Sequence, residues 1–357
     1  MESLADKKRL AWADFARAIA IFLVILNHCI SAYYTTRAHF GTYSTFSMIF
    51  INVLFPLSRL GVPIFLFLSG YFLLSKRYKK EDAKKFYKNK WLRLFITAEI
   101  WLVIYHVVLA IAGEQSFSIV GLLKNMIFTD SVPYFTNFWY VNMILGFYLL
   151  VPHVANYLNS KPRLSLRFPV LFMAIYAFSI PVINTVLSIF GQEQVTASIY
   201  SGFTGGVYGF YLLLGYWIRK GEFNKLKTRS CMLLFITSFT LLCLARFLTT
   251  IGNTFDAWYD NALVLVPSFF LFILLSRVTI PSRFAERLFY FFSHHSFGVF
   301  LSHKLFILAA VKLCLLDSLV MPAQVLVLSV AVTPMSYIFC ALVSKIPHVG
   351  ETLLYLR

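Results

Sequence analysis

Apolar runs of about twenty residues, separated by short connections that hold most of the charge, repeat along the chain from Leu10 to Val343. A run of that length crosses a bilayer as an α-helix, whereas a membrane strand needs only about ten residues of alternating polarity. The pattern predicts an all-α polytopic membrane fold of about ten transmembrane helices, near 10–33, 46–74, 93–112, 134–156, 168–190, 203–218, 231–251, 261–277, 288–311 and 322–343. Pro56 and Pro63 flank Arg59 in the second segment, LFPLSRLGVPIFLFLSGYFLL, and predict a kink or local unwinding there, because proline donates no backbone hydrogen bond. The stretch SKRYKKEDAKKFYKNKWLRLF interleaves Lys and Arg with Phe86, Tyr87 and Trp91, which suits an interfacial amphipathic helix leading into the third span. No linker or low-complexity stretch interrupts the series, so a single membrane domain over 1–357, without a separate soluble domain, is expected.

Composition supports the membrane reading: 59% of the 357 residues are hydrophobic and only 13% are charged, with a mean hydropathy of +0.74. The net charge of +17 would suit nucleic acid if it formed one patch. Instead the basic residues cluster in every second connection: Lys7 to Arg9, Lys76 to Arg93, Lys161 to Arg167, Arg219 to Arg229, Arg277 to Arg287, and Lys345 with Arg357. That alternation is the positive-inside rule, and it predicts both termini on the cytoplasmic side with no nucleic-acid partner. Such a face suits membrane lipids with anionic headgroups, or a phosphorylated cofactor. Asp14 and Arg17 interrupt the first apolar run and argue against a cleavable signal peptide. Five cysteines lie in or beside apolar segments at no metal-like spacing, and no metal is expected. Gly202, Gly205, Gly206 and Gly209 follow no strand, so they are expected to let helices pack closely rather than to cradle a nucleotide. No Walker motif supports an ATP-driven pump.

Ionisable groups inside spans are costly and therefore informative. Arg17 and His28 are eleven positions apart, which on a helix places them on one face, roughly 16 Å apart along the axis. His28 falls in the extracytoplasmic half of its span, where a neutral imidazole can take a hydroxyl proton and return it; a polar helix-packing contact is the alternative. Asp14 is three residues before Arg17, so the pair is either structural or a device that positions the guanidinium for an anionic ligand. Lys90 and Arg93 share a face where the third span begins and suit either lipid headgroups or a ligand. Arg59 lies mid-span and needs compensation. Glu99 and His106 share a face of the third span, His303 and Lys304 lie at a depth comparable to His28, and structural polar contacts are expected for His106, His294 and His295. On residues alone, an enzyme, a transporter or flippase for glycans or small anions, and a non-catalytic assembly component all remain open.

Several motifs together resemble the acyltransferase-3 family of membrane O-acyltransferases. They are Asp14-x-x-Arg17 with His28; Arg59-Leu-Gly-Val-Pro63 through Ser69-Gly70-Tyr71; Lys90-x-x-Arg93; Phe138-Trp139-Tyr140; Gly146 to Pro152; and Ser296 to His303. The Arg59 segment and Asp256-Ala-Trp258-Tyr259 look most like the branch that acetylates surface polysaccharides such as enterobacterial common antigen. The chain departs from the family at Ala18, where Gly is usual, and at Asn137, where His is frequent. The resemblance implies a multi-pass enzyme of the bacterial cytoplasmic (inner) membrane that moves an acyl group, acetyl above all, from cytoplasmic acyl-CoA to a hydroxyl of an extracytoplasmic glycan or glycolipid. It implies His28 and Arg17, with Asp14, as the catalytic set, and Arg17, Lys90 and Arg93 as the acyl-CoA site. Arg59, Trp139, Asp256, Trp258 and His303 are then expected to meet the acceptor. Association with polysaccharide-assembly partners or with further copies of the chain is left open.

Overall fold

The computed structural model describes residues 10–33, 44–160, 167–196, 206–251 and 258–356, and among them regular structure is helical with no strand. Helix α1 spans Ala11–Tyr33. Helices α2 (Thr45–Arg59) and α3 (Gly61–Ser69) and a π-helical turn (Gly70–Leu74) form one broken rod. Helix α4 (Lys80–Phe86) passes through a second π-helical turn (Tyr87–Trp91) into α5 (Leu92–Ile111), followed by the short α6 (Ile119–Met126). Then come α7 (Trp139–Leu158), α8 (Arg167–Ile189), α9 (Gly206–Arg219), α10 (Thr228–Ile251), α11 (Ala262–Ser276), α12 (Arg283–Lys312), α13 (Met321–Val343) and α14 (Val349–Leu353).

Each of the ten predicted segments coincides with a helix, apart from residues 203–205, which lie outside the described residues. Among the described residues, seven helices are long and apolar enough to cross a membrane. Helices α9 and α11 are shorter, at 14 and 15 residues, and α12 is long but carries Ser293, His294, His295, Ser296, Ser302, His303 and Lys304. Exposed apolar side chains such as Ile175, Leu233 and Ile338 suit a lipid-facing perimeter. Polar caps set several helix starts: Ser44 accepts from Ser47 N, Ser118 from Gly121 N, Asn261 from Leu263 N and Ser282 from Ala285 N.

Helix α1 is the hub, packing against α2, α3, α11, α12 and α13. It runs parallel to α12, since Arg17 meets Ser293 and His28 meets His303. The expected break in the second segment falls at Leu60, between the end of α2 at Arg59 and the start of α3 at Gly61, where Pro63 cannot donate to the Arg59 carbonyl. Of the glycines expected to let helices pack closely, Gly209 is buried in α9. Gly202 and Gly205 lie outside the described residues, and Gly206 has open space where a Cβ would stand. The backbones of α9 and the broken rod instead touch at Gly215, against Phe67, and at Gly70, against Leu212.

Candidate active site

Arg17 sits near the start of α1, where its Nη1 donates to Asp14 Oδ1 (3.3 Å) and to Ser293 Oγ (3.4 Å). Its guanidinium stands 5.4 Å from the ring centroid of Phe72, in the first π-helical turn. Asp14 is buried beneath it and Arg17 is half-buried, so desolvation of the carboxylate offsets much of the attraction and the pair fixes the position of the guanidinium more than it stabilises the fold. Arg219, at the end of α9, donates to the Tyr71 hydroxyl (3.0 Å) and adds a second guanidinium beside the same turn.

Three turns further along α1, His28 borders a cavity of about 400 Å³. Arg59, Trp139, Trp258 and Lys304 also line it. The broken rod delivers Arg59 to this wall, where its guanidinium lies over Trp258 (4.7 Å), Tyr259 (5.7 Å) and Phe55 (4.6 Å). The spacing is that of cation–π contacts, which compensate a cation at membrane depth. Trp139 packs on Tyr208, Trp258 and Tyr259 at centroid distances of 5.3–5.6 Å, and Trp258 Nε1 donates to the Tyr208 hydroxyl (2.9 Å). Lys304 donates from Nζ to the Tyr134 carbonyl and lies over the same residue's ring. Asn27 and Ser58, also at the cavity, are joined by a buried hydrogen bond (2.9 Å) that ties α1 to α2. The cavity thus brings an aromatic cluster and two cations together with the imidazole of His28.

The His28 ring is itself held. Its Nδ1 lies 2.7 Å from Nε2 of His303, and His303 Nδ1 lies 3.0 Å from the Val299 carbonyl oxygen. The two imidazoles are nearly coplanar, at 19°, with centroids 4.9 Å apart. That separation is one hydrogen bond plus the two ring radii, so the rings meet edge to edge along the nitrogen lone pair and do not overlap face to face. His303 is fully buried and does not border the cavity.

Lys90, Arg93, His106 and His295 do not border this cavity. Arg93 donates to the carbonyls of Glu351 (3.3 Å) and Leu356 (2.5 Å) and lies over Tyr355, whose hydroxyl donates to the Lys90 carbonyl (3.1 Å). The Arg93 guanidinium and the Lys90 backbone therefore hold residues 349–356 as a strap against the start of α5. Tyr355 packs on Phe297, one turn beyond the Ser293 that Arg17 touches, so α12 connects the two basic groups. Asp256 lies outside the described residues. His106 bonds Asn125 (2.6 Å), a contact between α5 and α6, and His295 approaches the Phe291 carbonyl one turn back on its own helix (3.0 Å). The carboxylate oxygens of Glu99 are buried with no hydrogen bond among the described residues.

Three contributors escaped the sequence reading. Asn137, noted only as a departure, is buried with its amide at the cavity wall. Tyr134 offers a backbone carbonyl, which no side-chain pattern reveals. Arg246 is buried in the last third of α10 and lies 4.8 Å from the Phe55 ring that Arg59 also faces. An arginine inside a 24-residue apolar helix is a signal that the sequence did carry.

Neither a curated protein nor a solved structure gave a match. A family model described as an acyltransferase domain matches residues 10–344, from the start of α1 to the end of α13, so the chain belongs to the acyltransferase-3 family and is a multi-pass membrane acyltransferase.

Proposed function

We propose that the protein transfers an acyl group, acetyl in the first instance, from cytoplasmic acyl-CoA to a hydroxyl of an extracytoplasmic glycan or glycolipid, through ten crossings with both termini cytoplasmic. The observation that carries this reading is the axis along α1: a positioned guanidinium at one end and, three turns away, an imidazole bordering a cavity. The basic end of the bundle, with Arg17 and Arg219 and with Lys90 and Arg93 linked through α12, suits the phosphates of CoA. The pantetheine arm is a long thin chain that suits passage along the α1–α12 seam toward His28. The aromatic wall of Trp139, Trp258 and Tyr259 suits the apolar face of a sugar ring.

His28 acts as general base. Its lone-pair nitrogen takes the proton of the acceptor hydroxyl as the oxygen attacks the thioester carbonyl carbon. The carbon–sulfur bond then breaks, and the departing thiolate takes the proton back from the imidazolium, leaving an O-acyl ester and free CoA. The thioester supplies the driving force. Polysaccharide O-acetylation of the enterobacterial common antigen type fits this arrangement.

The test uses acetyl-CoA labelled in its acetyl group and supplied to inverted membrane vesicles. Label is expected in the glycan fraction and is expected to vanish in His28→Ala and Arg17→Ala at unchanged protein level. Full labelling in His28→Ala, or vectorial movement of substrate without acylation, overturns the reading.

A further inference from the structure

We infer that His303 is the positioning residue that fixes the tautomer of His28, so that the nitrogen left unprotonated is the one at the cavity. This deepens the reading of His28 as the base and rests on it for its consequence in catalysis, though not for the tautomer itself.

A backbone carbonyl can only accept a hydrogen bond. His303 Nδ1, 3.0 Å from the Val299 oxygen, must therefore carry a proton. A neutral imidazole has one N–H and one lone pair, so His303 Nε2 is an acceptor. The partner 2.7 Å away, His28 Nδ1, must then be the donor, and His28 Nε2 keeps its lone pair. Because the rings are nearly coplanar, this hydrogen bond also sets the plane of the His28 ring. Nδ1 is turned into α12, and Nε2 lies on the opposite edge of a ring that borders the cavity.

Val299 and His303 are four residues apart on α12, so the first link of the chain is an intrahelical contact that α12 makes whatever α1 does. His303 is fully buried, which removes water as a competing donor or acceptor. Every link is thus specified by an element already in place before substrate arrives: carbonyl, His303, His28. A carboxylate in the place of His303 would orient His28 equally well and would stabilise its imidazolium further. A neutral imidazole orients without adding a negative charge beside Lys304 and Arg59, and it lets His28 release its proton readily to the leaving thiolate.

The experiment compares His303→Gln, whose side-chain carbonyl can still accept from His28 Nδ1, with His303→Leu, which cannot accept. In vesicles given labelled acetyl-CoA, His303→Leu is expected to lower the maximal transfer rate about 10- to 100-fold with KM for acetyl-CoA unchanged, less than the loss on removing a triad carboxylate. His303→Gln is expected to restore most of that rate. In parallel, ¹⁵N-histidine NMR of the full chain in nanodiscs, with His28 assigned by its loss in His28→Ala, is expected to show the proton on Nδ1 in the wild type. In His303→Leu it is expected to move predominantly to Nε2.

A wild-type His28 protonated on Nε2 overturns the proposal, as does an equal loss of rate in the Gln and Leu variants. The wild-type spectrum decides even if His303→Leu does not fold. A His28→Ala variant that keeps full activity sinks the proposed function but leaves the spectrum to decide the tautomer, so the two failures are distinguishable.

Discussion

Gly215→Ala tests the packing that supports the cavity. The added Cβ would stand 2.1 Å from the Phe67 carbonyl oxygen and 2.8 Å from its carbon, while a Cβ on Gly70 would meet the Leu212 oxygen at 1.8 Å. Carbon–oxygen contacts settle at roughly 3.3–3.6 Å, so α9 must retreat from the broken rod by about 1 Å. Overpacking of this kind costs about 1–3 kcal/mol, and the better helix propensity of Ala offsets up to about 1 kcal/mol of it. The retreat also reaches the site, because α9 carries the Tyr208 hydroxyl that holds Trp258 (2.9 Å) and the Tyr211 hydroxyl that holds the Tyr259 carbonyl (2.8 Å). Gly146→Ala is the control, since nothing lies within 4 Å of its Cβ position on α7. Heating followed by fluorescence-detected size-exclusion chromatography should show Gly215→Ala melting several degrees below the wild type and Gly146→Ala at or above it. Transfer assays should show the acceptor KM raised in Gly215→Ala and the acetyl-CoA KM unchanged. If Gly215→Ala melts with the wild type, the backbone contact is not what holds α9 in place.

Further perturbations follow from single contacts. Trp101→Phe removes the donor to the Leu353 carbonyl (2.7 Å) and should cost about 1 kcal/mol, read as a lower melting midpoint; deleting residues 349–357 should cost several times more, since it also uncovers Trp101 and the contacts of Arg93 and Thr97. Ser58→Ala leaves the buried Asn27 amide without its 2.9 Å partner and should destabilise by roughly 1–3 kcal/mol in the same assay. Glu99→Leu removes two buried oxygens that have no hydrogen bond among the described residues and should raise the melting midpoint; a fall would reveal a partner for the carboxylate. Burial raises the pKa of the Asp260 carboxyl, just outside α11. A raised folded-state pKa favours the protonated form, so its contribution to stability is lost as pH rises through that value. Asp260→Asn should therefore raise the melting midpoint more at pH 8 than below pH 3.8, the ordinary carboxyl value, and an equal effect at both would show that burial does not govern this group.

What the sequence could reveal depended on whether a property was periodic, costly or local. Helix positions were legible because apolar length and proline placement act along the chain: all ten segments have helices, and the second breaks where Pro63 withholds its N–H. His28, Arg59 and Trp139 were legible because polar and charged groups at membrane depth are costly, and the cavity gathers them with Trp258. Partnership between distant helices was not legible. His303 shared a depth with His28, but that its ring meets His28 and its own Val299 carbonyl depends on its rotation about α12. Arg93 matched a motif as a charge, while its guanidinium also holds the strap at Glu351 and Leu356, more than 250 residues away in sequence. The packing glycines show the same limit, since Gly206 fits the small-residue pattern and faces open space, whereas Gly215 stands alone in sequence and meets the Phe67 backbone. Depth is written in the order of residues and rotation only in the packing, and the cavity requires both: Arg17 and His28 share a face by spacing alone, but only α12, running parallel to α1, makes that face the one that binds Ser293 at one end and His303 at the other.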